Sequence, residues 1–88
     1  MASALELMNK AYKVHDAIQN YFPPSVQVWV PYFIDGSVRF RVKYSNKPIF
    51  RTEVTYEQIN KMSVKQVVNI VMASLIEQML ERYNDLDK

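Results

Sequence analysis

Residues 38–44 read Val-Arg-Phe-Arg-Val-Lys-Tyr, a regular alternation of apolar or aromatic and basic side chains. Successive side chains of a β-strand point to opposite faces of its sheet, so this stretch predicts a half-buried strand. Weaker alternations at residues 26–33 and 50–54 flank it. Turn-forming residues at Asp35-Gly36 and at 45–48 separate the three runs. We therefore expect a three-stranded antiparallel sheet.

Helical signals lie on both sides of these strands. A Ser or Thr followed three residues later by Glu or Gln is a capping-box pattern, and it occurs at Ser3, Thr55 and Ser63. The apolar spacing behind each pattern predicts helices over residues 4–21, 56–61 and 64 to about 83. The predicted order is α-β-β-β-α with a short extra helical turn. Residues 1–88 then form a single α+β domain, with both main helices on one face of the sheet.

The first hairpin restricts which side chains share a face. A two-residue loop at Asp35-Gly36 pairs Ile34 with Ser37, and a regular ladder would then place Val30 opposite Arg41. Because the facing of a strand is strongly specified when one side is buried, this register is disfavoured. We expect a three-residue loop with Gly36 in the left-handed region, or an equivalent bulge near Pro31.

Composition restricts the class of protein more than its function. The chain has 88 residues, a net charge of +2 and no cysteine, which excludes disulfides, thiolate nucleophiles and cysteine-based zinc sites. The first residues lack a basic segment before an apolar run, and the apolar window at residues 67–76 is too short to cross a membrane. We expect a cytoplasmic protein without a membrane partner.

Residues with catalytic or ligand-binding chemistry are scarce. The one glycine, Gly36, excludes glycine-rich phosphate loops, which need several glycines. The one histidine, His15, lies beside the apolar stripe of the first helix and is more typical of a boundary residue than of a ligand. Glu77, Glu81 and Asp85 recur at helical spacing, which is typical of a solvated face, with an ion site or acidic docking surface as alternatives. We expect no enzyme activity, catalytic residue, metal or cofactor.

One predicted face combines basic and aromatic side chains. Because both helices are expected on the other side of the sheet, this face should be uncovered. Its residues are Trp29, Phe33, Arg39, Arg41, Lys43 and Arg51. Arginine and tryptophan are typical anchors of protein interfaces, and basic rows with aromatic rings also suit single-stranded nucleic acid. A plain solvated face with Trp29 packed under arginine stems is the third interpretation.

The last helix is apolar around more than half of its circumference, which is typical of a helix with two neighbours. Val67, Ile70 and Leu80 lie off its main stripe and predict an oligomer interface, most simply in a homodimer. The alternative is that helix 1 or residues 56–62 cover them within a monomer.

These patterns favour a small non-catalytic binding protein that acts through protein–protein interaction. It would use the basic-aromatic face, the apolar last helix, or both. The alternative is a nucleic-acid-binding module that uses the basic face. The element order resembles that of double-stranded RNA-binding domains, with Lys61 and Lys65 near the start of the last helix. The Lys-Lys-x-Ala-Lys run and Gly-Pro-x-His loop of that family have no counterpart in this chain.

Overall fold

A computed structural model describes residues 3–44, 47 and 49–86, with side chains as far as Arg82. The described residues form an α+β fold, as predicted, with a sheet of four strands instead of three. The elements in chain order are α1 (Ala4–Tyr21), β1 (Val26–Val28), β2 (Tyr32–Ile34), β3 (Ser37–Tyr44), β4 (Phe50–Thr55), α2 (Tyr56–Lys61) and α3 (Val64–Leu86). The predicted turn at residues 45–48 lies mostly outside the described residues.

Strand β3 is the centre of the sheet, as its strict alternation indicates. Along one edge it pairs antiparallel with β1 and then β2, and along the other edge with β4. Val38, Phe40 and Val42 are buried on one face of β3, whereas the basic residues between them are partly or fully exposed on the other. The alternation of side chains therefore separates the core from the open face.

The extra strand arises from a bulge in the first predicted run. Val28 pairs with Val42 and Tyr32 pairs with Arg39, so this segment holds one residue more than the stretch of β3 beside it. Trp29 still donates its backbone N–H to the carbonyl of Arg41 at 2.9 Å. The ladder is interrupted just after Trp29, and this break divides the run into β1 and β2.

The turn of the hairpin differs from the preferred prediction. Ile34 pairs with Ser37, so the loop has two residues, Asp35 and Gly36, and the three-residue loop is wrong. Their φ angles of 47° and 79° are those of a type I′ turn, which suits the twist of a hairpin. The alternative prediction, a bulge near Pro31, is the one that the pairing confirms.

The helices cover the other face of the sheet and complete the core. α1 contacts β1 and α3, α2 joins β4 to α3, and α3 packs along β4. The fully buried side chains with the largest volumes come from every layer: Phe40, Ile18, Ile59, Leu75, Val14, Val38, Val42, Val54, Val67 and Val71. Both capping boxes before α2 and α3 form, with Gln58 bonded to Thr55 and Gln66 bonded to Ser63.

Side chains of α1 and α3 also form hydrogen bonds with backbone groups along the outer edges of the sheet. Gln19 on α1 bonds the Val26 carbonyl at 3.3 Å and the Val28 N–H at 3.4 Å, and His15 Nε2 lies 3.2 Å from the Val28 carbonyl. Gln78 on α3 bonds the Arg51 carbonyl at 2.8 Å and its N–H at 3.4 Å. Edge groups bonded in this way are not free to pair with another strand.

Candidate binding face of the sheet

The sheet face opposite the helices carries a basic-aromatic cluster. Every second residue of β3 and of β4 points to this face. The bulge adds aromatic side chains from the segment that holds β1 and β2. We define the basic-aromatic face as Trp29, Tyr32, Arg39, Arg41, Lys43, Arg51 and Glu53. Its formal net charge is positive, because four cationic side chains share it with one carboxylate.

The Arg41 guanidinium lies against two aromatic rings. Its Cζ atom is 4.8 Å from the centre of the Trp29 ring and 5.3 Å from the centre of the Tyr32 ring. A cation over an aromatic ring is attracted by the negative face of the π system, and each such contact is worth about 0.5–1 kcal/mol at exposed sites. The bulge makes this arrangement because it turns Tyr32 to the face of Arg41 instead of the core.

Two polar hydrogens in this stack have no acceptor. Trp29 Nε1 and Arg41 Nε are both inaccessible to solvent and lack a hydrogen-bond partner within the described residues. A buried donor without an acceptor costs about 1–3 kcal/mol. Unsatisfied polar groups are few in native proteins and are often found where binding or chemistry takes place.

The remaining charges of the face are unequally compensated. Arg39 Nε donates to Glu53 Oε1 at 2.7 Å, and its Nη2 reaches the same oxygen. Arg41 and Arg51 stand directly opposite each other on neighbouring strands, and no carboxylate of the described residues pairs with either. Like charges at directly opposite positions are destabilising. Lys43 is exposed one alternate position further along β3.

The structure brings together five of the six side chains predicted for this surface. Phe33 is the exception, and its placement there is wrong: it pairs with Val38, packs against the core and lies 6.4 Å from the Tyr56 ring. Tyr32 takes its place because the bulge shifts the register by one residue. The predicted set also lacks Glu53, although its alternation with Arg51 on β4 places it on the same face.

The packing of α3 buries one residue of the predicted oligomer interface and leaves the other two exposed. Val67 is fully buried in the core, so its assignment to an exposed patch is wrong. The packing of α3 against β4, α1 and α2 buries this side of the helix. Ile70 and Leu80 remain 38% and 58% exposed, and Ile76 is 44% exposed on the same helix.

The histidine of α1 makes structural contacts, and the described acidic side chains of α3 are exposed. His15 Nδ1 is 3.0 Å from Asp16 Oδ1 and its Nε2 faces the Val28 carbonyl, so the ring joins α1 to β1. Glu77 and Glu81 are exposed, and the Asp85 side chain lies outside the described residues. Within the described ranges, no group of three or more His, Cys, Asp or Glu side chains could hold a metal, and no helix is long and apolar enough to cross a membrane.

No family model, curated protein or solved structure matches the chain. The geometry and charge of the basic-aromatic face are therefore the features that bear on its function.

Proposed function

We propose that this chain is a non-catalytic, cytoplasmic binding module whose basic-aromatic face binds an acidic segment of a protein partner. The partner would lay carboxylates along β3 and β4, over the cations that lack a counterion. Arginine, tryptophan and tyrosine, which make up most of this face, are the residues in which interface binding energy concentrates.

The observation that carries this proposal is the opposed pair Arg41 and Arg51. Its members lie on adjacent strands with no carboxylate of the described residues paired to either. A carboxylate that reached both guanidinium groups would replace a repulsion with two charge-assisted hydrogen bonds, which are about twice as strong as neutral ones. The Trp29 and Tyr32 rings already restrain the Arg41 guanidinium, so little of its conformational entropy is lost when an anion binds.

The geometry of Trp29 favours a protein over the alternative, single-stranded nucleic acid. Base recognition on a sheet needs aromatic ring faces that are free to stack. One face of Trp29 is occupied by the Arg41 guanidinium, and Tyr32, which is 45% exposed, has the same cation against it. Carboxylates need only N–H donors, and the exposed Lys43 and Arg51 have no carboxylate partner among the described residues.

The double substitution Lys43→Glu, Arg51→Glu tests this surface. We expect it to weaken binding of a glutamate-rich peptide at least about tenfold, because Glu at position 51 would lie opposite Arg41 and compete for it. Both side chains are exposed, so the free energy of unfolding should change by less than about 1 kcal/mol. Binding is measured by fluorescence anisotropy of the labelled peptide over a range of salt concentrations.

The matched control is Lys13→Glu, Arg82→Glu, which makes the same charge change at exposed positions on α1 and α3. It should retain peptide binding. Equal loss in both variants would mean that the peptide responds to net charge and not to this face. An oligothymidylate of equal charge is titrated in parallel. Tighter binding of that oligonucleotide, lost in the first variant only, would support the nucleic-acid module instead.

A further inference from the structure

The solvent-facing side of α3 carries a second apolar stripe, separate from the one that packs on the sheet. Ile70, Ile76 and Leu80 are 38%, 44% and 58% exposed, and the exposed Ala73 lies between them on the helix. The buried residues of α3, among them Val67 and Val71, lie on the opposite side. Asn69 and Glu77 are also exposed on this side, and the described neighbours of α3, which are β4, α1 and α2, leave the apolar residues of this side uncovered.

The two isoleucines of this stripe lie symmetrically about Ala73. Ile70 and Ile76 lie three residues before and after it, and Gln66 and Leu80 lie seven residues before and after it. In a two-fold antiparallel helix pair, a residue at a given distance before the centre lies level with the residue at the same distance after it on the partner. Centring the pair on Ala73 would place Ile70 level with the second copy's Ile76, and would place one Ala73 against the other.

Charge along α3 selects the same arrangement. Lys65 lies eight residues before Ala73, whereas Glu77 and Glu81 lie four and eight residues after it. All three are exposed, and none forms an ion pair with another described residue. An antiparallel pair would bring the basic end of each helix to the level of the acidic end of the other. A parallel pair would align like charges.

The helix dipole adds to this preference. The dipole acts mainly within the terminal turns of a helix. In the antiparallel pair Glu81 would lie level with Lys65 in the first turn of the second copy's α3, near its positive N-terminal end.

We infer that this chain forms a homodimer through α3, in an antiparallel two-fold contact centred on Ala73. The small side chain at the crossing point lets the helices approach closely, and the contact from Gln66 to Leu80 is about 21 Å long. α3 packs on the core face of the sheet, opposite the basic-aromatic face. Both copies would therefore keep that face free, and the dimer could bind a partner at two places.

Sedimentation of the full chain over a micromolar concentration range tests the dimer. We expect a mass that rises toward two copies, and at least about a tenfold increase in the dimer dissociation constant for Ala73→Glu. Ala73 is exposed in a single chain, so the variant should keep its helical circular dichroism. Asn9→Glu adds the same charge at an exposed position on α1 and should leave the dimer unchanged.

Single cysteines test the geometry, because the chain has none of its own. Ala73→Cys should be oxidised to a disulfide-linked dimer, since the two β-carbons meet at the axis. Gln66→Cys should not link to itself, because an antiparallel pair places its two copies at opposite ends. Self-linking of Gln66→Cys would contradict the antiparallel arrangement. The proposal would be overturned if the wild-type chain stayed monomeric at every concentration. It would also be overturned by a dimer that persists in the Ala73→Glu variant and dissociates when salt is added.

Discussion

Val67→Asp should leave the chain largely unfolded at room temperature. The valine side chain is fully buried, and it belongs to the core cluster. An aspartate there would have to ionise without a partner or remain protonated in an apolar site, and either costs several kcal/mol. Because small domains are stable by only about 5–15 kcal/mol, this change removes much of the total. Far-ultraviolet circular dichroism and urea denaturation measure the loss.

The control for this prediction is Ile70→Asp, three residues further along α3. That side chain is 38% exposed, so the aspartate stays in water and the free energy of unfolding should fall by no more than about 1 kcal/mol. Both variants are compared at protein concentrations low enough to avoid self-association. If the two variants are equally stable, or if Ile70→Asp unfolds the chain, α3 does not present to the sheet the face described here.

Phe40→Ala should be the most destabilising truncation within the sheet. Phe40 is the largest of the fully buried side chains and lies in the middle of β3, opposite Thr52. Its removal loses the transfer free energy of the ring and leaves a cavity that neighbouring strands and helices cannot fill completely. The expected cost is about 3–5 kcal/mol of unfolding free energy, measured by chemical denaturation.

Tyr44→Ala provides the comparison on the same strand. Tyr44 has the same parity as Phe40 but lies at the end of β3, where it is 45% exposed. We expect its truncation to cost less than about 1.5 kcal/mol, because much of the ring is already in water. Similar losses for the two variants would mean that the core is not centred on β3.

The elements that could be predicted from sequence are those specified by local chemistry. The caps at Thr55 and Ser63 mark the starts of α2 and α3, and the helix predicted over residues 4–21 is present with those bounds. The alternation around Phe40 also indicates which side of β3 faces the core. In each case a few neighbouring residues determine the backbone, so no distant contact is needed.

The bulge could not be located from the alternation alone. A three-residue loop and a bulge near Pro31 each restore the facing of β3 relative to the first run, so the pattern does not distinguish them. The preference of Asp35-Gly36 for a two-residue type I′ turn decides between them, and the extra residue then falls after Trp29. The exchange of Phe33 for Tyr32 on the basic-aromatic face follows directly from this one register shift.

The burial of Val67 illustrates a second limit. When a helix is apolar around most of its circumference, its periodicity does not show which part faces the sheet. The contact of α3 with β4, which includes the Gln78 bonds to Arg51, determines that orientation. Only then do the exposed residues Ile70, Ile76 and Leu80 separate from the buried ones.

The central proposal, that an acidic partner binds the basic-aromatic face, is tested most directly by side-chain resonances in a nitrogen-15 NMR titration. Trp29 is the only tryptophan, so its indole N–H gives one identifiable signal, and the Arg41 Nε–H beside it is also observable. Neither group has an acceptor within the described residues, so both should respond when a carboxylate binds the guanidinium. With a glutamate-rich peptide we expect these two signals, and the backbone amides of β3 and β4, to shift together and saturate. Saturable shifts confined to α1 and α3, with both side-chain signals unchanged, would contradict the proposal.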